Sequence, residues 1–262
     1  MRTIPASELD HVRTGRDDGL PVLVLDFDGT VCLGDGPIWA YARALTPALD
    51  EGDARRVVDG LADFLAGRTE PGDFSDGYSA VVRLAGPGIT RATLDAAYLA
   101  SRESLAAGTV DVHSPDRLPD LLAALAGTVR RVLLTNAPDI GMPGLLERLG
   151  LASTIDEVIT SAGKPDGFAT LLPQLLDGAA PARLLSVGDL WFNDIARPLA
   201  FGCATAYVDR TGRDRRPAHA SATTLPELYP AIRAWAADPA AFVTEHCPDV
   251  AEPGTPTPSP RS

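Results

Sequence analysis

The sequence predicts an α/β protein: a Rossmann-like, doubly wound parallel sheet with an inserted helical domain. Three observations predict it. Short apolar runs such as Val22-Leu23-Val24-Leu25 and Val132-Leu133-Leu134 do not alternate with polar residues, which fits strands buried on both faces. Segments of helical periodicity separate these runs, and strand–helix–strand order implies right-handed crossovers into a parallel sheet. Between residues 34 and 112 the strand signal stops and only helical spacing remains.

In order along the chain, residues 1–20 are polar and charged and read as a short helical or irregular lead-in. The first strand, 21–25, ends in Asp26-Phe27-Asp28-Gly29-Thr30. Apolar residues then recur at helical spacing, first Ile38, Trp39, Tyr41, Ala42 and Leu45, next Val57, Val58, Leu61, Phe64 and Leu65, then Leu94, Ala97, Tyr98 and Leu105. Gly67, Pro71, Gly72, Gly86 and Pro87 punctuate these segments. Residues 34–112 are therefore expected to form a helical insertion in a core built from 1–33 and 113–240. The core resumes with a helix at 118–125 and a strand at 129–134, which ends in Thr135-Asn136. A helix at 140–149 is stopped by Gly150, and a strand at Glu157–Thr160 leads into Gly163-Lys164-Pro165. A helix at Phe168–Leu176 and a strand at 184–187 follow, the latter running into Gly188-Asp189. A helix at 194–201, a strand at Ala204–Val208 and a closing helix at 225–237 complete the core. Residues 241–262 form a tail, expected to be disordered from about 253, where Pro, Thr and Ser dominate.

Composition narrows the function. The chain has 262 residues and a net charge of −12, with no basic stripe, so a nucleic acid is excluded as the main partner. No apolar run is long enough to span a bilayer. The first twenty residues carry no apolar signal-peptide core, so a cytoplasmic location is expected. Cys32, Cys203 and Cys247 are too few, and odd in number, for a disulfide framework; they fit small thiols in a reducing compartment. His11, His113, His219 and His246 have no metal-ligand spacing. Of the 23 Lys and Arg residues only Lys164 is a lysine. Oligomeric state is not encoded in any of these patterns.

Ligands of an open parallel sheet bind beyond the carboxyl ends of its strands. Four predicted strands end there in Asp26, Thr135, the turn holding Lys164, and Asp189. Asp26 and Asp28, two residues apart on an extended segment, point to one side. Two such carboxylates repel, and Mg²⁺, a hard cation that keeps positions open for substrate oxygens, answers that repulsion. A calcium loop would need a longer Asp-x-Asp-x-Asp-Gly pattern with a later Glu. The Thr135 hydroxyl and the N–H groups after it are candidate donors to a phosphoryl oxygen, and elsewhere Thr-Asn after a strand is simply a turn. Lys164 offers a compact ammonium able to hold a carboxylate and a phosphoryl oxygen at once, which the wide fork of Arg does not reproduce. Asp189 and Asp194 are spaced to complete a metal shell; for Asp194 a helix N-cap is the competing role.

Together these residues resemble the haloacid dehalogenase superfamily. Asp26-Phe27-Asp28-Gly29-Thr30 matches its first motif, Thr135 its second, Lys164 its third, and Gly188-Asp189 with Asn193-Asp194 its fourth, over roughly residues 21–210. The resemblance implies a phosphatase that acts on a small phosphorylated metabolite. Asp26 would be the nucleophile, forming an aspartyl-phosphate, and Asp28 the general acid and base. Thr135, Asn136 and Lys164 would bind the phosphoryl group. Mg²⁺ would be held by the Asp26 side chain, the Asp28 backbone carbonyl and Asp189, with Asp194 holding a ligand or water. The insertion would be the family's helical cap of the C1 type, closing over substrate. Dehalogenases of the superfamily lack the second aspartate, and its phosphonate-cleaving members need a cap lysine that is absent here. A phosphomutase or phosphotransferase would use the same residues; a non-catalytic binding protein would be expected to have lost one of them. Trp191 and Phe192 depart from the smaller residues common at these positions, and packing under the cap is expected of them rather than lining the substrate mouth. Trp39, Tyr78 and Arg83 are candidate cap contacts.

Overall fold

The computed structural model describes residues 2–5, 19–70 and 72–248. At the middle of its sheet lies β2 (Val22–Leu25), paired in parallel with β3 (Arg130–Leu134) on one side and β5 (Leu184–Gly188) on the other. Outward from β3 come β4 (Glu157–Thr160) and β1 (Arg2–Pro5); outward from β5 come β6 (Ala204–Val208) and β7 (Ala220–Ala222). The seven strands thus run in the order β1-β4-β3-β2-β5-β6-β7. The chain winds away from β2 toward one edge through β3 and β4, then returns to β2's other side at β5. That reversal opens a crevice at the carboxyl end of β2.

The apolar runs are explained by the two cores. Leu23 and Leu25 face α5 (Leu118–Ala124), α6 (Met142–Arg148) and α9 (Tyr229–Ala237), which supply Leu121, Leu145 and Trp235. Val22 and Val24 face the opposite side, packing with Phe168, Leu171 and Leu175 of α7 (Phe168–Leu176). Neighbouring residues of one strand are buried on opposite faces, so no polar alternation is possible. Each fully buried Leu contributes about 1.5–3 kcal/mol.

The chain leaves this body after Leu33 and returns at His113, and the two crossing segments pair there: Leu33 N–H donates to the His113 carbonyl at 2.8 Å and His113 N–H to the Leu33 carbonyl at 3.0 Å. Between them lie α1 (Gly36–Leu45), α2 (Glu51–Leu65), α3 (Gly77–Ala85) and α4 (Arg91–Ala106), around a separate core that includes Tyr41, Leu45, Leu61 and Val81. Side chains set the helix starts. Asp50 accepts the Asp53 N–H at 2.8 Å, and Asp76 with Ser79 forms a capping box.

The structure departs from the sequence reading at both ends. Residues 2–5, expected as a helical or irregular lead-in, form the edge strand β1, where Pro5 withholds no essential ladder donor. Residue 1 and residues 6–18 of that lead-in lie outside the described residues. The folded body also runs into the expected tail: Asp238 caps α10 (Pro239–Glu245), and Phe242, 2% exposed, joins the core beside β6. The disorder expected from about 253 falls outside the described residues. Among those described, no helix is long and apolar enough to cross a membrane.

Candidate active site

The crevice at the end of β2 is a cavity of about 230 Å³ between the sheet and the insertion. Asp26, Asp28, Thr135, Asn136, Lys164, Asp189 and Asp194, from four strand ends, all line it. Lys164 sits at its base. The ammonium is 2.6 Å from Asp26 Oδ1 and 2.7 Å from Asp194 Oδ1, and its side chain is only 3% exposed. The loop that carries it is fixed by Asn136, whose Oδ1 accepts the Lys164 N–H at 2.7 Å and whose Nδ2 donates to the Lys164 carbonyl at 3.0 Å. The Asn136 side chain thus holds the lysine loop, and the donor expected to meet a phosphoryl oxygen is its backbone N–H. Thr135 is buried, and its hydroxyl accepts the Ala137 N–H at 3.0 Å while keeping its own hydrogen to donate. Thr30, the last residue of the first motif, donates to Asp26 Oδ2 at 3.3 Å.

Two glycines let the acidic groups converge. Gly29 has φ +83°, and a Cβ there would lie 2.2 Å from Asp189 Oδ2; a Cβ on Gly188 would lie 2.4 Å from Asp194 Cγ. Asp194 lies on a π-helical turn, Trp191–Ile195, that precedes α8 (Ala196–Phe201), and its Oδ2 accepts the Leu190 N–H at 3.0 Å. It is therefore tied to Lys164 through one oxygen and to the turn through the other.

Asp26, Asp189 and Asp194 each place a carboxylate oxygen within 4.8 Å of the others'. The only ammonium among them is Lys164, with the Arg210 guanidinium 3.7 Å from Asp189 Oδ2. The Asp189 Oδ1 oxygen is buried with no hydrogen-bond partner. Burial first, and then the Asp194 charge, push Asp26 up to about 7 against the pull of Lys164. Burial, followed by the charges of Asp26 and Asp194, raises Asp189 as well. Crowded hard oxygens, one of them orphaned, and too little positive charge nearby fit a bound divalent cation such as Mg²⁺.

The Asp28 carboxylate takes no part in this cluster. It accepts a hydrogen bond from Arg102 Nη1 at 2.8 Å, which leaves untouched the backbone carbonyl, the Asp28 group expected to meet the metal. Arg102, on α4, is 3% exposed and lies 5.8 Å from the centroid of the Phe27 ring. Nothing in local spacing ties residue 102 to residue 28, so the pair leaves no trace in the sequence pattern. Tyr98, Asp76 and Arg210 also line the cavity and were likewise not foreseen.

The remaining expectations divide. Tyr78 lines the cavity. Trp39 lines a separate hollow beside the linkers, and Arg83 donates to the Asp73 carbonyl and stacks on Phe74. Trp191 and Phe192 do not line the cavity: Trp191 Nε1 donates to the Pro217 carbonyl at 2.9 Å and Arg216 lies over both rings, and Phe192, expected to pack, is 66% exposed. Cys32 lines the cavity, and burial raises its thiol, which disfavours the thiolate a nucleophile needs.

No family model and no curated protein matches the sequence. Solved structures do match the fold. The HAD-hydrolase YfnB from Bacillus subtilis, solved bound to magnesium, aligns with a TM-score of 0.54 at 19% identity over 80% of this chain and 97% of its own. A HAD phosphatase from Thermococcus onnurineus aligns with a TM-score of 0.51 at 20% identity, over 81% of this chain and 98% of its own. The L-2-haloacid dehalogenase RSc1362 gives a TM-score of 0.51 at 17% identity, over 82% and 99%. The chain has the fold of the haloacid dehalogenase-like hydrolases. Because a phosphatase and a dehalogenase both align, the fold does not choose the reaction.

Proposed function

We propose that this protein is a Mg²⁺-dependent phosphohydrolase that removes the phosphoryl group of a small phosphomonoester through an aspartyl-phosphate on Asp26. The observation that carries the reading is a second carboxylate, Asp28, lining the cavity that holds Asp26. Displacement of a halide needs no proton donor, since halide leaves as a stable anion. An alkoxide leaving phosphorus does need one, and Asp28 is the group placed to supply it.

The chain's own residues divide the work. Lys164 and the Thr135 hydroxyl hold the phosphoryl oxygens, and Lys164 keeps the Asp26 oxygen at 2.6 Å and aligned for attack. An Asp26 oxygen bonds to phosphorus as the ester P–O bond breaks, and the departing oxygen takes a proton carried on Asp28 Oδ2, the oxygen not engaged by Arg102. Asp28, now a base, takes a proton from water as the water oxygen attacks phosphorus and the Asp26–P bond breaks, releasing phosphate. Asp26 and Asp189, with Asp194 in reach, are the residues that would hold Mg²⁺, which when bound supplies positive charge to the phosphoryl oxygens. The four-helix insertion acts as a cap that keeps bulk water from the intermediate.

The test is phosphate release from a panel of phosphomonoesters, with Mg²⁺ or EDTA, by the wild type and Asp26→Asn. Release that needs the metal and falls at least about 1,000-fold in the variant is expected. Undiminished release by Asp26→Asn would sink the covalent mechanism. Transfer of the phosphoryl group to an added alcohol, with little free phosphate, would identify a phosphotransferase instead.

A further inference from the structure

Resting on the phosphohydrolase reading, we infer that the substrate's leaving group is a small alcohol with no second negative charge, recognised from the cap by the Tyr78 hydroxyl. Size sets the first limit. The cavity holds about 230 Å³, below the roughly 300–1,000 Å³ typical of pockets for drug-sized ligands, and its Lys164 end is taken by the phosphoryl group. What is left accommodates a few carbons and not a nucleoside.

Charge sets the second. The cap side of the cavity is lined by Pro37, Ile38, Asp76, Tyr78 and Tyr98. Asp76 gives one oxygen to the Ser79 N–H at 2.6 Å, but its negative charge still faces that space. The buried cap cation nearby, Arg102, is committed to Asp28 at 2.8 Å and does not line the cavity. Arg210 lines it from the core side, where it leans on Asp189 at 3.7 Å. A carboxylate or second phosphate on the leaving group would be desolvated against Asp76, with no cap cation free to pair it.

The third limit is a hydrogen bond waiting to be made. The Tyr78 hydroxyl oxygen is buried with Arg102 as its nearest donor, at a distance or angle short of a full hydrogen bond, and its own hydrogen meets no acceptor. Buried hydroxyls are normally paired, so an unpaired one on a cavity wall points to a ligand. The ring is braced by Tyr98, with centroids 5.7 Å apart, and by Tyr41 at 5.9 Å, so the hydroxyl is held in place beforehand. Burial keeps the phenol protonated, ready to donate to a hydroxyl, ether or carbonyl oxygen on the leaving group.

The experiment compares glycerol 3-phosphate with 3-phosphoglycerate, which share a three-carbon skeleton but end in a hydroxymethyl or a carboxylate, and with methyl phosphate, which has no distal acceptor. Each is assayed with the Mg²⁺-loaded full chain, as wild type and as Tyr78→Phe. Glycerol 3-phosphate should exceed 3-phosphoglycerate in kcat/KM by at least about tenfold. Tyr78→Phe should lower kcat/KM for glycerol 3-phosphate about 10–100-fold, and at least about fivefold more than for methyl phosphate. Equal or better turnover of 3-phosphoglycerate overturns the inference, and so does an equal loss on glycerol and methyl phosphates, which would mark Tyr78 as structural. If phosphate release is absent for all three, or survives Asp26→Asn, the phosphohydrolase reading fails and this inference with it; an Asp26-dependent release with the opposite ranking sinks this inference alone.

Discussion

Asp26, Asp189 and Asp194 crowd their oxygens within 4.8 Å, and that crowding destabilises the fold that makes it. Burial, and then Asp194, hold Asp26 up to about 7 in the folded protein, against roughly 4 in an unfolded chain. A carboxyl raised on folding removes stability as it ionises, so the penalty grows from about pH 4 and is complete above about pH 7. In EDTA, Asp26→Asn should therefore melt higher than wild type, by at least about 2 °C at pH 8 and by less at pH 4.5. Added Mg²⁺ should raise the wild-type melting temperature more than the variant's. Calorimetry decides the point, and a variant that melts lower at pH 8 contradicts it. Lys164→Arg tests the lysine's shape: a guanidinium cannot bridge Asp26 and Asp194 at 2.6 and 2.7 Å within a side chain only 3% exposed. Its kcat should fall at least about 100-fold with circular dichroism unchanged; near-full activity would remove the lysine from the mechanism. These residues were legible in the sequence because strand-end position and i, i+2 spacing determine where side chains point. Arg102 and Tyr78's unpaired hydroxyl were not, because a contact 74 residues away and a missing bond leave no local pattern.

At the scale of elements, the five inner strands were readable and the two edge strands were not. β2 is unbroken apolar sequence buried on both faces, and β3 and β5 carry the buried runs Val132-Leu133-Leu134 and Leu184-Leu185. β1 and β7 are four and three residues long at the two edges of the sheet, too short to carry a period. A polar clamp holds β3 to the turn before β4. Arg131, 6% exposed, donates Nε to Asp156 Oδ2 and its backbone N–H to the same oxygen, both at 2.8 Å, and Nη1 to the Leu122 carbonyl at 2.8 Å. Burial opposes ionisation of Asp156, but the hydrogen bonds and charge of Arg131 prevail and hold it below the ordinary carboxylate range. A depressed carboxyl contributes stability above its unfolded pKa and loses it as pH falls through the folded value. Asp156→Asn should thus destabilise by about 1–3 kcal/mol at pH 7, since it strips charge from the partner of a buried guanidinium. The gap to wild type should narrow below about pH 4. Urea melts at both pH values test this, and a gap that widens in acid argues against the clamp.

Over the whole molecule, two cores are joined at few points. The insertion packs around its own apolar cluster, except that Leu105 of α4 joins the core, whose two clusters lie on either side of the sheet. The Leu33–His113 backbone pair and the Arg102–Asp28 ion pair cross between them. The insertion's existence was legible from a change of periodicity; how it meets the core was not, because that is decided by side chains far apart in sequence. Arg102→Met should leave each body folded but loosen their contact. Limited proteolysis within residues 34–36 and 109–112 should then be faster, with kcat/KM down at least about tenfold. Unchanged cleavage and activity would show that the ion pair does not couple the two bodies.

One feature of the composition becomes, in the folded chain, a ready-made reporter. The sole lysine side chain is the one at the floor of the cavity, 7% exposed as a residue. An acylating or amidinating reagent therefore has a single side-chain amine to modify in this protein, and reacts with it only when the amine is released from Asp26 and Asp194, which hold it as the ammonium. The mass gained at residue 164 over time then reports how often the cavity floor lets go of its lysine, and substrate or phosphate should slow it by standing in the way. Most enzymes need a label engineered into place for such a readout; here the near-exclusive use of arginine has cleared the background.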